Sequence, residues 1–558
     1  MIRFEIPDCD PASVARLRDR LGVSDALAQV LTRRGYGDPR RAEMFLNADE
    51  RHALERFAGL DVAAEMILAA VGARRRVTIH GDYDVDGVCS TALLLGSLRK
   101  LGADVDWYLP DRAEGYGLSE GTVRRLAQRG TGLLVTVDCG ITAVEEVALA
   151  RSLGVEVIVS DHHMPRADGK LPEAPIVHPL LCGYPCRDLC AAAVAHKLAQ
   201  ATLLAAGLDH DAEDGLDLVA LATIADVVPL LGENRSIVRR GLRALAVTDR
   251  PGLRALMGVA RIEPGKLNER AVAFGLAPRI NAAGRLYHAD AALELILTED
   301  RTRAAQIAHE LDRANSERRQ AELEIRLQAE GQIARLGGSE DRRAYVLGGE
   351  GWHRGVIGIV ASRLVERYRR PVVLVSLEGE RAHGSGRGVD GYDLLSGLSA
   401  CAEHLVRYGG HSAAAGVELR RESVGDFAAA LDAHARHALG PEDLLERERV
   451  DALLSGEQLG MELAEELARL APFGKGNPAV SLMLAGACVR DVRPMGEGKH
   501  ARFTVESGGV CARAVAFGND GTLGVAEGEP LDATFSLEVN EWRGVSEPRL
   551  VLRHVQPV

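Results

Sequence analysis

Three apolar runs end in acids and imidazoles, and they restrict the possible architectures more than anything else in the chain. Val77-Thr78-Ile79 leads into His80-Gly81-Asp82-Tyr83-Asp84-Val85-Asp86-Gly87, Val135-Thr136-Val137 into Asp138, and Val157-Ile158-Val159 into Ser160-Asp161-His162-His163. Helical periodicity occupies 87–101, 119–128, 142–153 and 191–206. A short apolar run bounded by turn residues reads as a buried strand, and strand–helix–strand at this spacing means parallel βαβ units. Open α/β sheets hold their ligands at the carboxyl ends of the strands, where these acids and histidines fall.

Asp82, Asp84 and Asp86 crowd together and repel one another unless a cation is present. Alternation along an extended stretch sends them to one side. Gly87 then lets the chain turn into a helix, whose N-terminus favours negative charge, a substrate phosphate included. Asp138 and the Asp161-His162-His163 group point into the same crevice. Carboxylate and imidazole together suit Mn²⁺ or Mg²⁺, and so metal-assisted chemistry on a phosphate. Asp226 lies in an apolar setting, Ala222 to Pro229; alone, such an acid reads as a helix cap or a paired core carboxylate. The set as a whole needs a function, because unpaired buried acids are too costly to accumulate at strand ends.

The chain has 558 residues, too many for one core, so three or four domains are expected. Its net charge of −13 does not advertise a nucleic-acid partner, but the acids cluster by motif, bound cations offset them, and local basic patches matter more than the sum. Nine scattered cysteines argue against a disulfide framework. No apolar run approaches the roughly 20 residues that span a bilayer, and Met1 to Asp10 lacks the form of a signal peptide; no membrane partner and a cytoplasmic location are expected. Residues 1 to about 60 look helical, with Ser24-Asp25 as capping types. Residues 291–336, rich in Ala, Leu, Glu, Gln and Arg and free of Pro, form one long helix or two stacked ones. A second α/β segment follows, with Tyr345-Val346-Leu347 and Val372 to Val375 as strands, and from about 478 the chain becomes strand-like and Gly-punctuated, as in a small β-barrel.

His80 to Asp86, Asp138, Asp161-His162-His163 and Asp226 resemble the four ordered motifs of the DHH phosphoesterases, and the third motif carries that family's name. The resemblance runs from about residue 25 to the C-terminus and is strongest to the branch of single-strand-specific 5′→3′ DNA exonucleases. Supporting stretches are Tyr108 to Arg112, Glu114 to Leu118, Ala277 to Arg285, Gly351 to Gly358, Gly384 to Arg387, and Gly409-Gly410-His411 with Ala414 to Gly416. The resemblance implies an α/β fold: a helical segment (1–60), a parallel-sheet DHH catalytic domain (61–235), a helical connector (236–340), a second α/β, DHH-associated domain (341–450) and an OB-like nucleic-acid-binding barrel (451–558). It implies two Mn²⁺ or Mg²⁺ ions, one held by His80, Asp84 and Asp138, the other by Asp86, Asp138, His162 and Asp226, with Asp138 bridging. His163 is expected to touch the scissile phosphate or help the leaving oxygen, and Asp82 and Asp161 to orient the histidines.

Substrate contacts are expected from Arg112, Arg279, Asn281, Arg285, Ser385, Arg387, Gly409, Gly410 and His411, with Arg112, Ser385 and Arg387 as a 5′-phosphate pocket. Tyr83, Tyr116, Trp352 and His353 are candidates for base stacking, each with ordinary packing as the alternative. The expected partner is single-stranded DNA with a free 5′ end; a single-strand-binding protein and a helicase are candidate partners. Three features depart from the family pattern: Gly388 stands where a Ser is expected, Ala191 to His196 replaces a glycine-containing helix start, and His178, Cys182, Cys186 and Cys190 recur at a spacing of four, as accessory metal ligands or fortuitous loop residues. The rival readings are a DHH enzyme for short oligoribonucleotides or cyclic dinucleotides, a manganese pyrophosphatase and a non-catalytic scaffold. The first two lack the need for a terminal barrel, and the last loses metal ligands that are all present here.

Overall fold

The computed structural model describes residues 2–111, 115–209, 211–286, 289–337, 342–542 and 544–558, apart from the side chains of Leu286 and Trp542. Five parallel strands form the first sheet, in the order Val105–Tyr108, Arg76–His80, Thr131–Val137, Glu156–Ser160, Ile176–Val177. From Arg76–His80 the chain crosses through the helix Val85–Lys100 to the edge strand, then returns through Glu120–Gln128 to the opposite side of its first strand. The winding direction therefore reverses between Arg76–His80 and Thr131–Val137, and a crevice opens at their carboxyl ends. Apolar residues on nearly every face of Val85–Lys100, Ala191–Ala205 and Leu216–Ala225 are buried, so these three helices lie inside the body.

The stretch 291–336 divides into two helices, the short Asp290–Leu297 and the 35-residue Arg301–Arg335. At 1.5 Å per residue the longer one is about 50 Å long. Asp300 caps it by accepting from the Thr302 and Arg303 amides at 2.7 and 3.3 Å. Its first half buries Ile307, Ala308 and Leu311 in the catalytic core, and its second half buries Ile325, Ala329 and Ile333 in the core of the second lobe. That lobe has a mixed sheet in the order Arg407–Gly410, Ala414–Arg420, Arg381–Arg387, Val372–Glu378, Tyr345–Glu350, with only the last pair parallel. The C-terminal barrel closes where Leu482–Met495 pairs with Leu531–Trp542 as well as with His500–Ser507, which removes free sheet edges.

Hydrophobic packing divides the chain differently from the expected boundaries in two places. The segment 1–60 is not purely helical: Ile2–Glu5 is a strand paired in parallel with Glu446–Arg449. Leu17, Leu27, Leu31 and Phe45 share one core with the barrel residues Leu482, Phe503 and Phe535, so the N-terminal helices complete the barrel's outer packing. The expected connector also begins too early. Leu245, Leu253, Met257, Leu276 and Ile280 belong to the catalytic core, and Arg301–Arg335 runs from that core into the core of the second lobe. Sequence periodicity reports which face of a helix is apolar, not which partner covers it. All nine cysteines are free thiols, and no described helix is long and apolar enough to cross a membrane.

Candidate metal centre

His80, fully buried, ends its strand, and the chain then turns tightly. A Cβ on Gly87 would lie 2.5 Å from the Asp82 backbone, so only glycine allows this turn. The helix starts at Val85, which corrects the expected alternation: Asp84 is its N-cap, accepting from the Asp86 and Gly87 amides at 2.9 and 3.2 Å, and Asp86 sits in the first turn. Both oxygens of the buried Asp86 accept from the amides of Ala191 and Ala192 at 2.7 Å each. The unusual alanine start of Ala191–Ala205 thus gives up its free N–H groups to a carboxylate.

Asp138 follows its strand directly and adopts φ 63°, a left-handed conformation that non-glycine residues seldom take. The Cys139 thiol lies 3.4 Å from His80 Nδ1. Asp161 Oδ1 accepts from the amides of His162 (2.7 Å) and His163 (3.1 Å) and from His163 Nδ1 (2.8 Å), while its Oδ2 accepts from the Ile141 amide at 2.9 Å. His162 Nε2 lies 3.2 Å from Asp138 and 3.6 Å from Asp86, and its Nδ1 lies 3.8 Å from Asp226. Asp226 is delivered by a helix, as the C-cap of Leu216–Ala225.

Three overlapping triplets place their donor atoms within 4.8 Å of one another: Asp82, Asp84, Asp138; Asp138, His162, His163; and Asp86, His162, Asp226. Asp138 and His162 are shared, which is the arrangement that two neighbouring ions need. Asp82 and His163 each stand in a donor triplet, where an orienting role and a phosphate contact were expected, and among the described residues no triplet includes His80; it lines the wall beside Cys139.

The electrostatics fit a cation. Burial, then the neighbouring Asp84, pushes Asp86 up to about 7, and burial, then Asp86, does the same to Asp226. Burial, then Asp86 and Asp84, drives Asp138 well above the ordinary carboxyl range. These acids accept protons for want of positive charge, and their oxygen and imidazole donors suit a hard divalent ion. His163 behaves oppositely. Burial works to lower it, but the hydrogen bond and charge of Asp161 outweigh that and raise it to about 9.

The second lobe contributes Ser385 and Arg387 from the strand Arg381–Arg387. Arg387 donates to Ser385 Oγ at 2.9 Å and to the Gly386 carbonyl at 2.8 Å; burial lowers its pKa. A Cβ on Gly388 would meet the Ser412 carbonyl at 2.8 Å, a steric reason for glycine where serine was expected. Gly409 and Gly410 lie on the exposed edge strand, and His411 follows it. Gly409 and Ser385 line a cavity of about 480 Å³ with Arg354, Arg407 and Tyr408.

Arg279 and Asn281 are tied within the catalytic body, and Arg285 reaches across to the second lobe. Arg279 pairs with Asp312 at 2.8 Å, Asn281 accepts from the Val85 amide at 3.0 Å, and Arg285 donates to the Gly355 carbonyl at 2.6 Å. Arg112 lies outside the described residues. Trp352 is corrected as a stacking candidate: it is 2% exposed, packs against the connector helix and donates to Gln328 at 2.7 Å, so it has no free face. Tyr83 is likewise partly packed against the catalytic core. His353 is exposed and caps Arg354–Tyr368 by accepting from the Gly355 amide. Tyr116 is 48% exposed, and its hydroxyl donates to the Asp138 carbonyl at 3.1 Å and lies 2.9 Å from His163 Nδ1.

The His178 and cysteine series does not gather. Cys182 donates to the Ile176 carbonyl, Cys190 contacts Thr223, and no described group of donors includes them. His178 has a role that its spacing did not signal. Its Nδ1 accepts from the Leu180 and Leu181 amides, so its Nε2–H donates to the His163 carbonyl at 2.8 Å and holds that loop.

A parallel sheet with carboxylates and imidazoles at its switch point, a mixed-sheet second lobe on a long helix and a closed terminal barrel define a DHH phosphoesterase. Residues 76–223 match the model of the DHH family N-terminal domain, 341–436 the DHHA1 domain and 450–554 the RecJ OB domain. The chain belongs to the RecJ family. It is 37% identical over 99% of its length, and 70% of the relative's, to the single-stranded-DNA-specific exonuclease RecJ of Bacillus subtilis. It is 34% identical to the RecJ of Dickeya dadantii over 99% of this chain and 97% of that one. The crystal structure of RecJ in complex with Mn²⁺ from Thermus thermophilus superposes with a TM-score of 0.87 at 32% identity, covering all of this chain and 80% of that one.

Proposed function

We propose that this protein is an exonuclease that hydrolyses single-stranded DNA from the 5′ end to mononucleotides, with two Mn²⁺ or Mg²⁺ ions, in DNA repair and recombination. The observation that carries this reading is the run of overlapping triplets joined by Asp138 and His162 at the switch point of the sheet. Asp82, Asp84 and Asp138 would hold one ion, and Asp86, His162 and Asp226 the other. Bound there, the ions supply Lewis acidity toward a phosphodiester.

The chain's own groups do the rest. His163, kept cationic at neutral pH by Asp161, donates a proton toward the scissile phosphate or the leaving oxygen. Asp161 and His178 fix the His163 side chain and backbone. Ser385 and Arg387 receive a terminal phosphate, since a guanidinium and a hydroxyl in one small-residue strand suit that dianion. The exposed Lys499 and Arg502 of the barrel follow the strand's backbone. A single-strand-binding protein and a helicase are the partners proposed, in the cytoplasm.

The test offers 5′- and 3′-labelled single-stranded DNA, duplex DNA and RNA with Mn²⁺, Mg²⁺ or EDTA. Mononucleotides released from free 5′ DNA ends, only with metal, are expected. Exclusive cleavage of short RNA would favour the oligoribonucleotide reading, and activity retained by Asp138→Ala would refute the site.

A further inference from the structure

Asp226 is the ligand that no strand of the sheet delivers. It caps Leu216–Ala225, and the next residue, Val227, has φ 57°. A β-branched residue in the left-handed region is strained, and Val227 is 59% exposed, so burial of its side chain does not offset that strain. Something further along must hold the chain there.

The restraint comes from the barrel side of the molecule. The Leu230 amide donates to the Lys475 carbonyl at 2.8 Å. A Cβ on Gly474 would lie 2.8 Å from the Leu230 side chain, and one on Gly476 3.1 Å from Leu231, so the two glycines press directly on the segment after Asp226. The loop carrying them is rigid. Gly474 and Asn477 exchange backbone hydrogen bonds of 2.8 and 3.1 Å. The Asn477 side chain, in a residue 1% exposed, donates to the Leu470 and Pro472 carbonyls at 2.8 Å each and accepts from Arg34 at 2.7 Å. Arg235 of the catalytic side, also 1% exposed, donates to the Leu470 and Ala471 carbonyls at 2.8 and 2.9 Å.

We propose that Asn477 is a positioning residue for the metal site: by locking the loop 472–478 onto Leu230 it keeps Val227 in its strained conformation and Asp226 within reach of His162 and Asp86. The inference rests on the metal reading given above. It makes the second ion's site a joint product of the catalytic body and the barrel, although the barrel supplies no ligand.

The test is Mn²⁺ titration by calorimetry on the full chain, with thermal unfolding in EDTA to establish that each variant is folded. Asn477→Ala is expected to weaken Mn²⁺ binding by about 10–100-fold, as loss of a group that orients a ligand does. Val227→Gly alone should bind close to wild type. The double variant should regain most of the lost affinity, because glycine adopts positive φ without strain and no longer needs the clamp. If Asn477→Ala does not fold, Gly474→Val, at an exposed position, should displace Leu230 and give the same loss and the same rescue. Wild-type affinity in Asn477→Ala or Gly474→Val, or a loss that Val227→Gly does not repair, would overturn the inference. Failure of the metal reading itself would look different: the wild type would bind no Mn²⁺, or Asp226→Asn would bind it as tightly as wild type.

Discussion

Asp86 accepts a 2.7 Å hydrogen bond from the amide of Ala192, a residue far along the chain and across the catalytic core. The helix end steadies a carboxylate that burial first, and then Asp84, pushes toward neutrality.

A pH dependence follows with a definite sign. Asp86 and Asp226 both stand near 7 in the folded, metal-free protein, against an ordinary value of about 3.9. Between those values the folded state binds more protons than the unfolded state, so its stability declines as pH rises through about 7. Metal-free protein should therefore unfold at a higher temperature at about pH 5.5 than at about pH 8, and the stabilisation by Mn²⁺ should be larger at the higher pH, where protons no longer compete. Thermal unfolding in EDTA and in Mn²⁺ at both values measures it; a metal-free protein more stable at the alkaline pH would contradict the crowding of acids.

Asp161→Asn removes the charge that raises His163. The imidazole should fall from about 9 toward its ordinary value of about 6.5. With His163 donating a proton, the alkaline limb of the rate profile should move to lower pH while the acid limb stays. Rate–pH profiles for wild type and variant check this, and an unmoved alkaline limb removes His163 from the proton-donor role.

Trp352→Ala separates packing from substrate contact. Loss of this buried indole should destabilise the protein by about 3–5 kcal/mol, with single-strand affinity unchanged at temperatures where the variant stays folded. Denaturant unfolding and strand-binding titrations provide the two readings. A loss of affinity without a loss of stability would reinstate stacking.

Arg387→Ala should cost about 1.5–3 kcal/mol in recognition of a terminal phosphate, the range for a hydrogen bond to a charged group. Competing 5′-phosphorylated against 5′-hydroxyl strands in one reaction reads the difference. Wild type should prefer the phosphate and the variant should lose that preference; a preference that survives would place the end-binding site elsewhere.

The acids were legible because their chemistry is written locally. Asp84, Asp86, Asp138 and Asp161-His162-His163 each follow an apolar run, and a parallel sheet gathers such ends in one crevice. Asp226 was legible only through its place in an ordered series, since it ends a helix and not a strand. That Asp82 rather than His80 falls in a donor triplet was not legible, because it depends on how a tight turn over Gly87 aims two side chains a few residues apart. Arg279, Asn281 and Arg285 look in sequence like substrate-facing polar groups; their contacts with Asp312, Val85 and Gly355 arise from elements distant in the chain. Trp352 presents the same ambiguity in reverse, as its burial depends on the helix that passes over it.

By itself, the sequence determined the parallel sheet, the donor types and their order along the chain, because apolar periodicity and ligand chemistry are properties of neighbouring residues. Only the tertiary structure decided which donors come within reach of one another, that the N-terminal helices complete the barrel, and that His178 and Asn477 hydrogen-bond to the carbonyls of His163 and of Leu470 and Pro472. Those are hydrogen bonds and close contacts between segments that meet only after folding, and no local pattern encodes the partner of a buried polar group.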